Sequence, residues 1–245
     1  MPDKDQRVFS IFSLKGGVGK TTIAHALATG LTKDGKRVAF LDADYSNPVA
    51  HLLFDIPHQR HKPLADFGIA PVHLNGLQYA SVAFLFSSTG ASRQSAERRA
   101  QVLSDMCSTV RWDPFEYLVV DMAPSSTEEN KTVLAALDPQ VIIVAERGPL
   151  AERGLERSVK FLKAARAQVL GVVGNKGFDA RNLAKEYNVP YLMTLPIAED
   201  VSLDPQVFLK ASPLRMGRIS LKQRGKRHLL RASLETYVKV REWRS

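Results

Sequence analysis

A short glycine-rich segment carries the residues best suited to chemistry in this sequence. Residues 14–22 read LKGGVGKTT and stand between a predicted strand, residues 8–13, and a predicted helix. Its glycines, Gly16, Gly17 and Gly19, allow backbone N–H groups to converge on phosphate oxygens without a Cβ atom in the way. The N-terminus of the helix adds unpaired donors and a positive dipole end. The spacing therefore predicts a loop that binds the phosphates of a nucleotide.

Two side chains of this loop have specific predicted tasks. Lys20 is placed to reach the β and γ phosphates as a catalytic cation, and the hydroxyl of Thr21 is placed to ligate Mg²⁺. The predicted nucleotide is ATP, bound with Mg²⁺. The predicted phosphate-binding residues are Gly16, Gly17, Val18, Gly19, Lys20, Thr21 and Thr22.

Acidic residues follow two further predicted strands. Asp42 and Asp44 come directly after residues 37–41, and Asp121 comes directly after residues 117–120. Ligands of open α/β sheets collect at the carboxyl ends of the strands. Asp121 is predicted to hold Mg²⁺, through water, and Asp42 to support it near the metal. The alternative for such aspartates is a structural role in a turn or helix cap.

Short apolar runs alternate with longer helical patterns along the chain. The runs lack the polar and apolar alternation of a half-exposed sheet, which predicts strands covered on both faces. The expected fold is α/β, a doubly wound and mainly parallel sheet flanked by helices in three layers, as in P-loop NTPases. The predicted strands are 8–13, 37–41, 77–84, 117–120, 141–145, 169–174 and 191–195, and the predicted helices are 21–33, 94–110, 128–137, 149–167 and 179–187.

The form of the phosphate loop resembles one superfamily. Leu14 stands where the usual motif has its first glycine, and Lys15 precedes the glycine pair. This form is similar to the deviant phosphate loop of the MinD, ParA and Mrp ATPases, which also include nitrogenase iron protein. The resemblance implies an ATP-dependent homodimer in which Lys15 reaches the nucleotide of the partner subunit. Such a cation in trans is worth on the order of 10³ to 10⁵ in rate.

The same resemblance implies roles for other positions. Asp44 is expected to orient the attacking water and so to be catalytic. Residues 122–129 resemble the segment that senses the γ phosphate and moves between nucleotide states. Asn175, at the end of the predicted strand 169–174, stands where the family places an asparagine that reads adenine, whose base edge an amide can both donate to and accept from.

The sequence features that indicate the branch of the superfamily point to two alternatives, Mrp and ParA. Residues 41–48 and 191–200 look like the Mrp branch, whose members carry iron–sulfur clusters. That branch usually has a Cys-x-x-Cys pair where this chain has residues 177–180, GFDA, and the single cysteine, Cys107, lies elsewhere. An iron–sulfur cluster is therefore not expected, because too few thiolates are present to hold one.

Leu14, at a position where the Mrp branch commonly has glycine, and the charge distribution both favour the ParA alternative. Of the net charge of +9, residues 215–245 contribute ten basic and two acidic groups, or +8, and residues 1–214 contribute +1. The expected division is an ATPase domain, residues 1–214, and a basic helical segment, residues 215–245. An apolar stripe over residues 226–244 predicts an amphipathic helix that contacts DNA or an anionic membrane, or packs on its own domain.

These observations lead to a prediction of function. We expect a Mg-ATP-dependent dimerising switch of the ParA and MinD type, which hydrolyses ATP slowly and positions or partitions a cargo, DNA or a protein complex, with an unidentified activating partner. The alternative is an Mrp-type ATPase that acts as scaffold or carrier in iron–sulfur or other metallocofactor assembly. A cytoplasmic location is expected, since residues 1–7 are polar and no run approaches the roughly 18 apolar residues of a membrane span.

Overall fold

The computed structural model describes residues 6–59, 61–64, 68–85, 95–125, 127–148 and 151–197, together with the backbone of 218–223 and 226–231. An eight-stranded sheet forms the centre, in the order β3-β4-β2-β5-β1-β6-β7-β8. Its strands are β1 Arg7–Phe12, β2 Val38–Asp42, β3 Val72–Leu74, β4 Leu77–Ser81, β5 Tyr117–Asp121, β6 Gln140–Glu146, β7 Gln168–Asn175 and β8 Tyr191–Thr194. Every neighbouring pair is parallel except β3 with β4.

Six α-helices connect these strands in the described part of the chain. They are α1 Lys20–Lys33, α2 Ala50–Leu53, α3 Ala96–Thr109, α4 Glu128–Leu137, α5 Ala151–Ala164 and α6 Arg181–Glu186. A 3₁₀ turn, Val82–Leu85, follows β4. The predicted doubly wound α/β fold is thus confirmed, with all seven predicted strands and all five predicted helices present.

The two faces of the sheet bury separate apolar layers, because side chains alternate along each strand. In β1, Phe9 and Ile11 pack with apolar residues of α1, among them Leu27 and Leu31. Val8 and Phe12 belong to the opposite layer, which contains apolar residues of α3, α4, α5 and α6. The helices therefore cover both faces, and the central strands carry their functional residues only at their ends.

Short elements escaped the sequence-based prediction. The antiparallel edge strand β3 is three residues long, and α2 is a single turn. Neither is long enough to show a periodicity. The predicted strand 77–84 ends at Ser81, after which the chain turns into the 3₁₀ segment.

The basic tail differs from its prediction where the structure describes it. Arg218–Gln223 and Lys226–Arg231 form an antiparallel pair, β9 and β10, where a helix was predicted from Lys226 onward. Two residues, Arg224 and Gly225, separate the strands in the sequence, and a two-residue link with glycine is typical of a hairpin. Residues 232–245 lie outside the described residues, and the division at residue 214 stays a prediction. None of the described helices is long and apolar enough to cross a membrane.

The close approach of β7 to the following turn requires a glycine at position 174. A Cβ atom there would lie 1.9 Å from the carbonyl oxygen of Phe178. Gly174→Ala should lower the free energy of unfolding by about 1–3 kcal/mol, since the turn after β7 must move. Urea denaturation measures this.

The matched control is Gly154→Ala in α5. The added methyl group would meet only the Cβ atom of Lys15, at 3.9 Å. Because alanine favours a helix more than glycine by up to about 1 kcal/mol, this variant should be as stable as wild type or more so. Equal stability of both variants would contradict the close-packing explanation for Gly174.

Candidate functional site

The predicted site residues other than Asn175, which ends β7, lie at the carboxyl ends of three adjacent strands. The loop of residues 13–19 follows β1, the acidic segment of residues 42–47 follows β2, and residues 122–127 follow β5. Asp42 lies directly opposite Asp121 across the β2–β5 ladder. Parallel pairing therefore brings together groups that are about 80 residues apart in the sequence.

The phosphate loop has the backbone conformation that its glycines predict. Gly17 and Gly19 have φ values of +75° and +91°, in the left-handed region that favours glycine. α1 starts at Lys20, and no side chain of the described residues caps its first turn. An anion is a natural partner for such a helix terminus, because its N–H groups have no acceptor within the helix.

Lys20 lies inside the site and only 6% of its surface is exposed. Burial lowers the pKa of its ammonium group from the ordinary value, while the nearby carboxylates of Asp121 and Asp44 act in the opposite direction. The cation is therefore held among the acidic groups with which it is predicted to act. A triphosphate would give it a further anionic partner.

Asp121 fits the predicted metal-binding role. It is fully buried, and burial raises the pKa of its carboxyl group to about 7, against the effect of a hydrogen bond from Thr21 and the charge of Lys20. Within the described part of the chain, its Oδ1 atom has no hydrogen-bond partner. A buried carboxylate oxygen without a partner beside a threonine hydroxyl is a donor set that suits Mg²⁺.

Asp42 is the most heavily hydrogen-bonded of the three aspartates. Its carboxylate accepts bonds from the backbone N–H groups of Asp44 (3.2 Å) and Ala50 (3.3 Å), and from the hydroxyls of Tyr79 (3.3 Å) and Ser81 (3.0 Å). Burial, together with the neighbouring Asp121, raises the pKa of Asp42 well above its usual range. The side chain thus fixes the segment after β2 to α2 and β4. Its role near the metal stays a prediction.

Asp44 closes the next turn of the same segment. Its Oδ1 atom accepts hydrogen bonds from the backbone N–H of Ser46 (3.0 Å), from the Ser46 hydroxyl and from the backbone N–H of Asn47 (3.1 Å). This is the Asx-type turn role that was the alternative in the sequence. Such a turn also fixes the carboxylate in place, so the predicted role in orienting water is compatible with it.

Asn175 and Lys15 take positions around the phosphate loop. The Nδ2 atom of Asn175 donates to the Val18 carbonyl at 2.8 Å, close against Gly19, so this side chain braces the loop. Its predicted role in reading adenine stays a prediction. The ammonium group of Lys15 lies 2.8 Å from the carboxylate of Glu146, at the end of β6.

The segment after β5 is tied to α4. The side-chain amide of Asn130 donates to the carbonyl oxygens of Ala123, at 2.9 Å, and Ser125. Glu129 of the same helix is buried and forms an ion pair with Arg99 of α3. Any displacement of residues 122–125 would therefore move through α4 toward α3. Ser126, within the predicted switch of residues 122–129, lies outside the described residues.

Sequence reasoning missed two charged residues of this site, Glu146 and Lys176. Glu146 ends β6, and Lys176 follows β7 immediately. The rule that selected Asp121, an acidic residue at the end of a buried strand, applies equally to Glu146. No motif residue stands beside Glu146 in the sequence, so a search by motif does not select it.

Cys107 lies on α3, away from the phosphate loop in the sequence and among the partly buried residues of the α3 to α6 layer. Burial raises the pKa of its thiol to about 12. No cluster of three or more potential metal ligands from His, Cys, Asp and Glu occurs among the residues that the structure describes.

Comparison with known proteins identifies the family. The model of the ParA group described as NUBPL iron-transfer P-loop NTPase matches residues 4–208, which include every predicted site residue. This chain belongs to that P-loop NTPase family. The resemblance to the MinD, ParA and Mrp superfamily is thereby confirmed.

Individual relatives agree with this family. The chain is 30% identical over 232 residues to a cytosolic Fe-S cluster assembly factor NUBP2 homolog of Culex quinquefasciatus, covering 84% of this chain and 87% of that protein. It is 26% identical over 204 residues to the iron-sulfur cluster carrier protein of Rickettsia felis. That match covers 80% of this chain but only 63% of the longer carrier. A nucleotide-binding protein of Archaeoglobus fulgidus, solved with ADP, is similar with a TM-score of 0.66 and 25% identity, over 82% of this chain and 86% of that one.

These relatives overturn the main functional prediction. The prediction of a positioning ATPase of the ParA and MinD type is wrong. The relatives are named as an iron–sulfur cluster carrier and an assembly factor, and the matching family is described as an iron-transfer NTPase. The basic tail and Leu14 had favoured the ParA branch over the Mrp branch. The expectation that no iron–sulfur cluster is involved also loses its support, since it was based on the cysteine count alone.

We expect nucleotide binding to depend on Lys20, the buried cation of the loop. Lys20→Ala should weaken ATP binding roughly ten- to hundredfold, because it removes a charge-assisted hydrogen bond to phosphate. Lys33→Ala, at the exposed opposite end of α1, is the matched control and should bind as wild type does. Titration calorimetry compares the two, and equal affinity of Lys20→Ala and wild type would contradict the assignment of this loop.

Proposed function

We propose that this protein is an ATPase of the Mrp and NUBP type that acts in iron–sulfur or other metallocofactor assembly. The observation that carries the proposal is the match of residues 4–208 to an iron-transfer P-loop NTPase family. That range contains the glycine loop, the buried Lys20 and the aspartates at the ends of β2 and β5. The cargo is metal, and ATP supplies the change of state that moves it.

Each site residue has a defined part in the proposed hydrolysis. The N–H groups of the loop and Lys20 bind the triphosphate, and Thr21 with Asp121 would hold Mg²⁺, which offsets phosphate charge when bound. Asp44 orients the attacking water. The protein acts as an ATP-dependent homodimer, in which Lys15 of one subunit reaches the γ phosphate bound by the other. Asp44 interacts electrostatically with both Lys20 and Asp121, so it lies near the groups that would hold the triphosphate and Mg²⁺. This position supports the proposed roles.

The cysteine content limits how the cargo is held. Cys107 is the one cysteine in these 245 residues, so a dimer supplies two thiols, and both have a raised pKa. Iron–sulfur clusters of the common types are held by four thiolates. We infer that the protein acts on metal together with a cysteine-bearing protein that supplies most of the ligands.

The proposed function is tested by cluster formation on a defined acceptor. Anaerobic mixtures contain ferrous iron, sulfide and apo-ferredoxin, with or without this protein and ATP, and ferredoxin absorbance follows cluster formation. ATP with wild-type protein should change the rate of formation, whereas Lys20→Ala should not. Cys107→Ala shows whether the protein's own thiol takes part.

Two results would count against the proposal. One is a rate of cluster formation that is the same with and without the protein at every nucleotide condition. The other is a change of rate that is the same for wild-type protein and Lys20→Ala. Either result would leave the protein without an ATP-dependent role in metal assembly.

The proposed role of Asp44 in orienting water can be tested separately from its structural role in the turn. Asp44→Asn keeps an oxygen that accepts the bonds from Ser46 and Asn47 but removes the carboxylate. We expect unchanged stability and ATP binding, with phosphate release slowed roughly 10²- to 10⁴-fold. Ser46→Ala, which removes only the hydroxyl donor to Asp44, is the control and should retain turnover. Wild-type turnover in Asp44→Asn would exclude Asp44 from positioning water.

A further inference from the structure

One carboxylate beside the phosphate loop is shared by two lysines. Glu146 Oε1 lies 2.8 Å from the ammonium of Lys15, and Oε2 lies 2.7 Å from that of Lys176. The Lys176 ammonium also donates to the carbonyl of Gly17 at 3.2 Å. The side chain of Glu146 is 13% exposed, whereas those of Lys15 and Lys176 are 34% and 53% exposed, so the carboxylate is the shielded member of this ion-pair cluster.

Further contacts keep the side chain of Lys15 directed toward Glu146. Its backbone N–H donates to the Ser13 hydroxyl at 3.3 Å, and the N–H of Leu14 donates to the Ser158 hydroxyl of α5 at 3.1 Å. The stem of Lys15 passes close to Gly154, where a Cβ atom would lie 3.9 Å from that of Lys15. The side chain is therefore packed on its own subunit, along α5 and toward Glu146.

The charges show what release of Lys15 would require. Burial acts to raise the pKa of Glu146, but hydrogen bonds from Lys15 and Lys176 outweigh it and the pKa lies below its usual range. The carboxylate is thus ionised at neutral pH. If Lys15 leaves, Lys176 still neutralises Glu146, so no buried charge is left without a partner, which is the costly outcome for a partly buried pair. The cluster can release one lysine at modest cost.

We propose that Glu146 is a positioning residue that holds Lys15 on its own subunit and thereby opposes its transfer to the nucleotide of the partner subunit. This inference rests on the ATP-dependent homodimer of the proposed function. In this arrangement, ATP must compete with Glu146 for Lys15 before the dimer forms. Glu146 therefore sets the ATP concentration at which the two subunits close.

The first test is the isosteric variant Glu146→Gln. Its ATP midpoint for dimerisation, measured by sedimentation at fixed protein concentration, should fall roughly three- to tenfold, as expected for the loss of a partly exposed ion pair. The affinity for ADP is measured in parallel, since ADP lacks the γ phosphate that Lys15 would contact. The ratio of the ATP midpoint to the ADP dissociation constant should fall. Glu156→Gln, which breaks the Lys160 ion pair on α5, is the charge-matched control and should leave both values unchanged.

A second measurement reports on Lys15 directly. Acylation of individual lysines in nucleotide-free protein is followed by peptide mass spectrometry, with the exposed Lys33 as the internal reference. Lys15 should react several-fold faster in Glu146→Gln than in wild type, because its ammonium has lost the partner that holds it. A purely structural role for Glu146 would not change this ratio selectively.

A second variant, Lys176→Met, is expected to change the ATP midpoint in the opposite direction. Lys176→Met leaves Lys15 as the remaining cation on Glu146, so the ATP midpoint should rise relative to the ADP constant and Lys15 should react more slowly. Thermal unfolding of each variant checks that it folds. Should Glu146→Gln prove unfolded, Lys176→Met alone decides, and a midpoint that stays or falls would overturn the proposal.

The outcomes separate this inference from the proposed function. Failure of wild-type protein to dimerise with ATP would remove the homodimer itself and this inference with it. Normal dimerisation with an unchanged midpoint in Glu146→Gln would overturn only the role of Glu146. A fall in the midpoint matched by an equal fall in the ADP constant would also overturn it, because the carboxylate would then act on the phosphates and not through Lys15.

Discussion

The site is organised around two aspartates that lie side by side in the interior. Asp42 and Asp121 are opposite each other on β2 and β5, and both are essentially inaccessible to solvent. Two adjacent buried carboxylates are costly unless hydrogen bonds, cations or protons compensate them. The protein compensates Asp42 with four donors and places the buried Lys20 near Asp121. Among the residues that the structure describes, none forms a hydrogen bond with Oδ1 of Asp121, where a metal–nucleotide complex would complete the compensation. The buried charge thus couples folding of these loops to ligand binding.

Much of this arrangement could be predicted from local sequence. The phosphate loop depends on residues 14–22 alone, and the strands of a covered parallel sheet are continuous apolar runs, so both have strong local signals. The strand-end rule then located Asp42 and Asp121 correctly, because parallel strands end on the same edge. Glu146 satisfied the same rule, but its significance depends on Lys15 and Lys176, which lie 131 and 30 residues away in the sequence. Such a cluster has no local pattern.

The errors had a different origin. The helix predicted from Lys226 followed a periodic apolar stripe, whereas the short link before it allows β10 to pair with β9. The choice of a positioning function used the net charge of the tail, which reports on the electrostatic field and not on the cargo. A fold and a nucleotide site therefore leave the function open, and the proposed function is based on the relatives.

A nucleotide site can act on a metal cargo that it does not itself ligate if its loops transmit motion. Each loop around the phosphates is tied to a different helix: the segment after β2 to α2 through Asp42, the segment after β5 to α4 through Asn130, and the start of the phosphate loop to α5 through Ser158. Because packed helices move as rigid units, small shifts at the phosphates reach surfaces far from the nucleotide. α3, which carries Cys107, is joined to this path by the ion pair between Arg99 and Glu129.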